Sequence, residues 1–176
     1  MRLFIAINFM NEVKSQVKEI INKVRANSTQ GKFVNEEHMH LTVEFLGEIS
    51  HTKVELIKNV MDELEYEPFT LKLNEIGSFK RREGNTYWLG IERHDTLLHI
   101  HDDLQQKLIN EGFELENREY KPHLTIGRKV KLKDAFDPEA LNSIIGKIGI
   151  YVDKVDLMKS EHIDGKLIHT VLYSRE

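Results

Sequence analysis

Two short segments of the chain, His40-Leu41-Thr42-Val43 and His123-Leu124-Thr125-Ile126, have the same alternation of polar and apolar residues. A period of two is typical of a β-strand, where successive side chains lie on opposite faces, and valine, isoleucine and threonine favour strands. In each copy the two apolar side chains therefore share one face, which we expect to be buried. The histidine and the threonine share the other face, and we expect the two polar faces to meet in one site.

Apolar residues at helical spacing predict four helices, and alternating or β-branched runs predict about eight strands. The predicted helices are Asn11–Arg25 with Asn11 as the N-cap, Thr52–Leu64 with Ser50 as the N-cap, Thr96–Glu111, and Asp137–Ile145. The predicted strands are Leu3–Asn8, Phe33–Val34, Met39–Leu46, Phe69–Phe79, Thr86–Ile91, the strand that begins at Pro122, Ile148–Lys159 and Ile168–Ser174, while Asn27–Gly31 is predicted to be a turn. This irregular order favours an α+β fold with mainly antiparallel sheets.

The two motifs lie in different halves of the chain, which suggests an old duplication. We therefore predict that residues 1–176 form a single domain of two lobes, each of which contributes one motif. A chain of this length buries roughly two-thirds of the surface that it exposes when unfolded. A hydrophobic share of 40% with 31% charged residues is typical of a globular protein and not of a disordered or membrane protein.

Charge and cysteine content exclude several classes of function. A formal net charge of −4 argues against a general polyanion binder, although it leaves room for one local basic pocket. The chain has no cysteine, which excludes disulfides, a thiolate nucleophile and cysteine-based zinc sites. The apolar start, Met1–Ile7, is interrupted at Asn8 before a signal peptide would be complete, and no other segment is long enough to span a bilayer. We expect a cytoplasmic protein that does not bind membranes.

Two imidazoles in one site favour chemistry at a phosphodiester. Histidine titrates near pH 6.5, so at neutral pH one ring can act as a base while the other acts as an acid. In-line attack at phosphorus needs both, and each contributes roughly 10²–10⁴-fold. Thr42 and Thr125 would donate hydrogen bonds to the nonbridging oxygens. Arg128 offers a planar fork to phosphate, although strand alternation directs it away from Thr125 unless Gly127 introduces a bulge.

The paired His-x-Thr-x segments resemble the signature of the 2H phosphoesterase superfamily. More narrowly, the chain resembles the bacterial and archaeal RNA 2′,3′-cyclic phosphodiesterases, which are also called 2′-5′ RNA ligases. The segments that carry the resemblance occur in the same order over nearly the whole chain. They are Arg2–Ile7, His40–Gly47, Gly77–Phe79, Trp88–Gly90 and Pro122–Arg128.

This resemblance implies a bilobal fold with a pseudo-twofold axis and a groove where the motifs meet. It also implies metal-independent opening of a terminal 2′,3′-cyclic phosphate on RNA or a nucleotide, without a cofactor, to a 2′-phosphomonoester. His123 corresponds to the base that activates water and His40 to the acid that protonates the departing 3′ oxygen, while Thr42, Thr125 and Arg128 correspond to phosphate contacts. A 5′-hydroxyl in place of water would form a 2′-5′ linkage.

Other candidate substrate-binding residues are less specific. Lys80 and Arg81 lie in a predicted hairpin loop and are candidates for RNA contact, and Lys80 stands where the family usually has proline. Tyr120, Phe9 and Trp88 are candidates for stacking on bases. The same residues also fit a solvated loop and a hydrophobic core. We expect a monomer.

Two alternatives remain open at this stage. His38 and His40 point the same way on a strand and could bind a metal, whereas His99 and His101 fall on a helix and are expected at the surface. The second alternative is a catalytically idle module that binds RNA ends. Glu44 shares the face of His40 by alternation and is interpreted as a solvated carboxylate.

Overall fold

The two motifs lie in different β-sheets of the computed structural model, which describes residues 1–176. The chain forms nine strands, β1 (Arg2–Asn8), β2 (Ser28–Phe33), β3 (His40–Glu48), β4 (Phe69–Phe79), β5 (Asn85–Ile91), β6 (His123–Leu132), β7 (Gly149–Val152), β8 (Val155–Ile163) and β9 (Lys166–Arg175). The α-helices are α1 (Asn11–Ala26), α2 (Val54–Asp62), α3 (Asp95–Asn110) and α4 (Asn142–Ile145), and short 3₁₀ helices occupy Glu36–His38, His51–Lys53 and Pro138–Leu141.

Each sheet carries one motif strand. The first sheet has the order β3-β1-β8-β9 and the second has the order β2-β6-β5-β4-β7, and all neighbouring strands are antiparallel. Helices α2 and α3 pack against the first sheet, whereas α1 and α4 pack against the second. The predicted α+β fold with antiparallel sheets and flanking helices is confirmed.

One hydrophobic core joins the two sheets. The apolar motif residues Leu41, Val43, Leu124 and Ile126 are each at most 2% exposed and belong to a single cluster of buried side chains from both sheets. Burial of side chains of this size is worth roughly 1.5–3 kcal/mol each. Rotating either motif strand would expose two of them, so the core fixes the direction in which the histidines and threonines point.

Several predicted elements differ in the structure. Residues 27–31, predicted as a turn, belong largely to β2, a polar edge strand that pairs with β6, so tertiary pairing overrides its low strand propensity. Asn11 is the first helical residue and not the N-cap, a position that Met10 takes without a side-chain hydrogen bond. The single strand predicted over 148–159 is divided into β7 and β8, which lie in different sheets. Ser50 caps its helix as predicted, since its hydroxyl accepts a hydrogen bond from the Thr52 N–H.

A one-residue bulge follows the second motif. Thr125 pairs with Trp88 of β5, but the next residue of β5, Tyr87, pairs with Gly127, so β6 contains one extra residue at this point. The bulge reverses the alternation beyond it, as an unpaired residue in a strand does. Arg128 is exposed and lines the same groove as Thr125.

The first motif is followed by the same irregularity. Thr42 pairs with Ala6 of β1, but the next residue of β1, Ile5, pairs with Glu44, so β3 also contains one extra residue. The bulge turns Glu44 inward, where it is 7% exposed, and Phe45, which is 48% exposed, lines the groove. Phe45 therefore occupies the position in the first lobe that Arg128 occupies in the second.

None of the helices combines the length and the apolar character that crossing a lipid bilayer requires.

Candidate active site

A single groove between the sheets contains the polar residues of both motifs. Its volume is about 1510 Å³, and its lining includes His40, Thr42, His123, Thr125 and Arg128. Strands β3 and β6 approach each other, and several Cα atoms of one strand lie within 8 Å of Cα atoms of the other. The structure thus brings the five residues predicted from the motifs to one cleft.

His40 lies in an aromatic environment in the first lobe. Its ring centroid is 4.9 Å from that of Phe4 and 5.3 Å from that of His169, which in turn is 4.8 Å from the ring of His38. Burial, followed by the positive charge that His169 can carry, lowers the pKa of His40 from 6.5 to about 4. His40 is therefore neutral at pH 7 in the free protein.

His123 has a different environment. Its Nδ1 lies 2.6 Å from the carbonyl oxygen of Lys121, and its ring lies 5.9 Å from Phe79 and 6.2 Å from Trp88. A carbonyl oxygen only accepts hydrogen bonds, so Nδ1 carries the proton and the neutral ring has its lone pair on Nε2. This tautomer makes Nε2 the atom that can accept a proton.

A buried network connects the first motif to the loop before the second. The Tyr120 hydroxyl donates to the Thr42 carbonyl oxygen at 2.9 Å, and the Tyr120 ring stacks on His101 at 4.1 Å. Nε2 of His101 lies 3.2 Å from the Glu44 carboxylate. Burial lowers the pKa of His101, but hydrogen bonds to Glu44 and Asp102 outweigh that effect and raise the pKa above 6.5. Below pH 6.5, His101 and Glu44 thus form a buried ion pair.

Two expectations about this network are wrong. Glu44 is not a solvated carboxylate, because the bulge in β3 turns it towards α3. His101 is not at the surface, because it lies on the same side of α3 as the buried Leu97 and Leu104, and it is only 6% exposed. His99, by contrast, is exposed.

The weaker candidates for substrate binding are distributed unevenly. Arg81 lines the groove, and its guanidinium lies 5.7 Å from the Phe79 ring, whereas Lys80 is exposed and does not line the groove. Tyr120 lines the groove but has one face covered by His101. Phe9 is 6% exposed and belongs to the core, so it is not available to stack on a base.

Several groove residues were not predicted as substrate-binding residues, and one of them, His38, was considered only as a metal ligand. Phe45 and Phe79 are 48% and 38% exposed, and they present the aromatic surface that Phe9 was expected to supply. Phe79 lies in the segment Gly77–Phe79, which was singled out, but alternation alone did not distinguish it from a core residue. His38 and His169 line the groove beside His40, and their Nδ1 atoms are buried without a hydrogen-bond partner. Nothing in the sequence around His169 indicates this position.

No group of three or more histidine, cysteine, aspartate and glutamate side chains has an arrangement that could hold a metal ion.

The chain is similar to known proteins over nearly its whole length. The family model of the 2′-5′ RNA ligase superfamily matches residues 13–164. An RNA 2′,3′-cyclic phosphodiesterase of Thermotoga maritima is 34% identical, with 98% of this chain and 94% of the relative covered. One from Methanothermobacter thermautotrophicus is 31% identical, with 96% and 95% covered. Escherichia coli LigT in complex with 3′-AMP superposes with a TM-score of 0.82 at 26% identity, with 99% of this chain and 96% of that chain covered. The chain therefore belongs to the 2′-5′ RNA ligase superfamily.

Proposed function

We propose that the protein hydrolyses 2′,3′-cyclic phosphates at RNA ends or on nucleotides to 2′-phosphomonoesters. The observation that carries the proposal is that the two His-x-Thr faces, from different sheets, line one groove. The relatives from Thermotoga and Methanothermobacter are named RNA 2′,3′-cyclic phosphodiesterases, which supports a cyclic phosphate as the substrate. The two imidazoles supply both proton transfers, so the proposed reaction requires no metal ion and no cofactor.

In the proposed reaction, a water molecule attacks phosphorus from the side of His123. Nε2 of His123 accepts the proton of the water, in keeping with the tautomer set by the Lys121 carbonyl. The bond between phosphorus and O3′ breaks on the opposite side, and O3′ takes a proton from His40. The product carries a 2′-phosphate and a free 3′-hydroxyl.

Negative charge on the nonbridging oxygens needs hydrogen-bond donors on both sides of the phosphate. Thr42 and Thr125 each follow their histidine by two residues and share its face, so their hydroxyls flank the same anion. Arg128 reaches the groove through the bulge in β6 and adds a charged donor that can bind two oxygens at once. Preorganised donors of this type typically contribute about 3 kcal/mol each to the transition state.

The same geometry supports ligation. If a 5′-hydroxyl of a second RNA replaces water, His123 accepts its proton and His40 again protonates O3′. The linkage formed is 2′-5′, and the energy comes from the strained cyclic phosphate rather than from ATP. We propose hydrolysis as the main reaction, because water is always present at high concentration.

Incubation with nucleoside 2′,3′-cyclic monophosphates tests the proposal. We expect a 2′-phosphate product, and we expect His40→Ala and His123→Ala each to lower kcat by more than about 10²-fold. His99→Ala, which removes an exposed histidine of α3, is the matched control and should retain full activity.

Other results would favour the alternatives. A 3′-phosphate product would assign the opposite leaving group. Absence of turnover with retained binding of RNA ends would identify a catalytically idle module. Loss of hydrolysis in excess EDTA that zinc restores would show a metal-dependent phosphoesterase.

A further inference from the structure

The cations around the groove fall into two classes. Arg118, Lys121 and Lys159 line the groove, and each has a carboxylate close by, namely Glu116 at 2.5 Å, Glu119 at 3.9 Å and Glu161 at 2.8 Å. Each of these cations therefore has a carboxylate that competes with a phosphate for it. Lys32, Arg81 and Arg128 also line the groove but have no carboxylate oxygen within 4.0 Å.

Two of the unpaired cations are neighbours on adjacent strands. Lys32 of β2 and Arg128 of β6 are register partners, so their side chains lie side by side at the edge of the second sheet. Arg2 is also unpaired, but it lies at the far end of β1 from Asn8, the register partner of His40. Six residues of strand separate Arg2 from that point, which is roughly 20 Å. Arg81 lies against Phe79, whose ring is 5.9 Å from that of His123, so the unpaired charge near the second motif comes from Arg81 and from the Lys32 and Arg128 pair on β2 and β6.

A second cleft continues from this edge of the sheet. It has a volume of about 590 Å³ and lies between α1 and the segment after β2, and both clefts are lined by Val34 and Asn35. Lys14 and Arg25 of α1 line it and have no carboxylate within 4.0 Å, whereas Lys18 is paired with Glu36 at 2.9 Å.

The second cleft starts close to the proposed catalytic centre. Met39, which lines this cleft together with Lys14 near the start of α1, directly precedes His40 in the chain. At the other end of the helix, the guanidinium of Arg25 lies 5.1 Å from the Phe33 ring, which holds it over the end of β2. Eleven residues of helix separate the two cations, a span of about 16 Å. The two unpaired cations thus lie near opposite ends of α1, in a cleft that Glu36 and Glu37 also line.

We propose that Lys32, Arg128, Lys14 and Arg25 form a track for the backbone of a single-stranded RNA, extending on the 5′ side of the cyclic phosphate. This inference rests on the proposed function, because it assumes that the cyclic phosphate lies between the two motifs. The cyclic phosphate is at the 3′ end of its strand, so the rest of the strand must leave the groove on one side. A row of cations without carboxylate partners is the feature that attracts successive phosphates.

The size of the groove supports an extended substrate. A pocket for one small ligand has a volume of about 300–1,000 Å³, and the groove alone is larger than this range at about 1510 Å³. A net charge of −4 means that the rest of the surface does not bind RNA in general. The track therefore confers a preference for oligonucleotides over mononucleotides without making the whole protein basic.

Comparison of two substrates tests the track. One is cytidine 2′,3′-cyclic monophosphate, and the other is an oligoribonucleotide of about six nucleotides with the same cyclic end, which falls within the usual range of single-strand site sizes. We expect Lys14→Gln/Arg25→Gln to lower the ratio of kcat/KM for the oligonucleotide to that for the mononucleotide by about fivefold per removed cation at low salt. Any change in the pKa of His40 affects both substrates alike and cancels in the ratio.

The control variant removes two cations that lie outside both clefts. Lys23→Gln/Lys154→Gln changes the net charge equally, and Lys23 is an exposed residue of the same helix. The slope of log kcat/KM against log salt for the oligonucleotide should decrease in magnitude by about 0.7 per track cation removed and remain unchanged in the control. Equal ratios and equal slopes in the two double variants would overturn the track.

Failure of the proposed function gives a different result. If the unaltered protein does not hydrolyse the cyclic mononucleotide, the proposed function is wrong. The track can then be tested by measuring how the affinity of the same variants for the labelled oligonucleotide depends on salt concentration. A weaker salt dependence only in Lys14→Gln/Arg25→Gln would support it, and identical slopes would reject it.

Discussion

Binding of a cyclic phosphate should change the protonation state of His40. In the free protein burial lowers the pKa of His40 from 6.5 to about 4, which disfavours the imidazolium by about 3 kcal/mol relative to water. A phosphodiester anion about 4 Å from the ring would attract the imidazolium by about 4 kcal/mol at the effective dielectric constant near a protein surface. The attraction is as large as the penalty, so we expect His40 to be neutral in the free protein and protonated in the complex.

The dissociation constant of an unreacted substrate measures this change. His123→Asn removes the proposed base, so a nucleoside 2′,3′-cyclic monophosphate should stay intact long enough for binding measurements. The bound anion raises the pKa of His40, so affinity is greatest below the pKa of the free protein and decreases as the pH rises towards that of the complex. Between the two values the dissociation constant should rise about tenfold per pH unit. Calorimetry in buffers of different ionisation enthalpy should record uptake of about one proton.

The control is a variant that also lacks the titrating ring. His40→Asn/His123→Asn should bind the cyclic nucleotide with a dissociation constant that varies little between about pH 5 and pH 8. A constant value in His123→Asn alone would refute the reasoning, because the ligand would then leave the protonation of His40 unchanged. A pH dependence that persists in the double variant would assign the proton to another group, such as His38 or His169.

Three further predictions follow from the site. Folding raises the pKa of His101, so the contribution of its ion pair to stability is fully present below pH 6.5 and is lost as the pH rises through the pKa of the folded protein. Glu44→Gln should therefore lower the free energy of unfolding by roughly 3 kcal/mol at pH 6 and by less at higher pH. Urea titrations at several pH values measure this difference. Arg128→Ala should lower kcat/KM by about 10²-fold or more, and Arg128→Lys should restore only part of it, because lysine lacks the planar fork. Gly77→Ala should lower the free energy of unfolding by about 1–3 kcal/mol, because its methyl group would overlap the indole of Trp88. It should also lower activity, because the Trp88 ring lies 6.2 Å from that of His123.

The parts of the fold that could be predicted from the sequence are those with a regular period. Helix α1 and the two four-residue motifs have apolar residues at helix or strand spacing, and their buried faces are the ones that the spacing gives. Strand β2 could not be predicted in this way, since its only partner, β6, lies about a hundred residues further along the chain. A polar edge strand is defined by that partner and not by its own composition.

The candidate site shows the same limit at the level of single residues. Alternation placed the histidines and threonines of the motifs correctly, because no irregularity intervenes within each four-residue segment. It failed at Glu44, because the bulge that begins one residue earlier inverts the faces. His169 was missed for a different reason, since only the pairing of β9 with β8 brings it near His40.

The paired insertions also determine how the two halves of the molecule differ. Identical backbone irregularities place residues 45 and 128 at equivalent points, and there the duplicated halves present an apolar ring and a cation. The ring suits a nucleobase and the cation suits a phosphate. This difference at one exposed position in each half adds to the asymmetry that the different surroundings of His40 and His123 already give the cleft. Exchange of Phe45 and Arg128 would move the cation to the first half and the aromatic ring to the second. The exchange would therefore favour binding of a nucleotide in the opposite orientation.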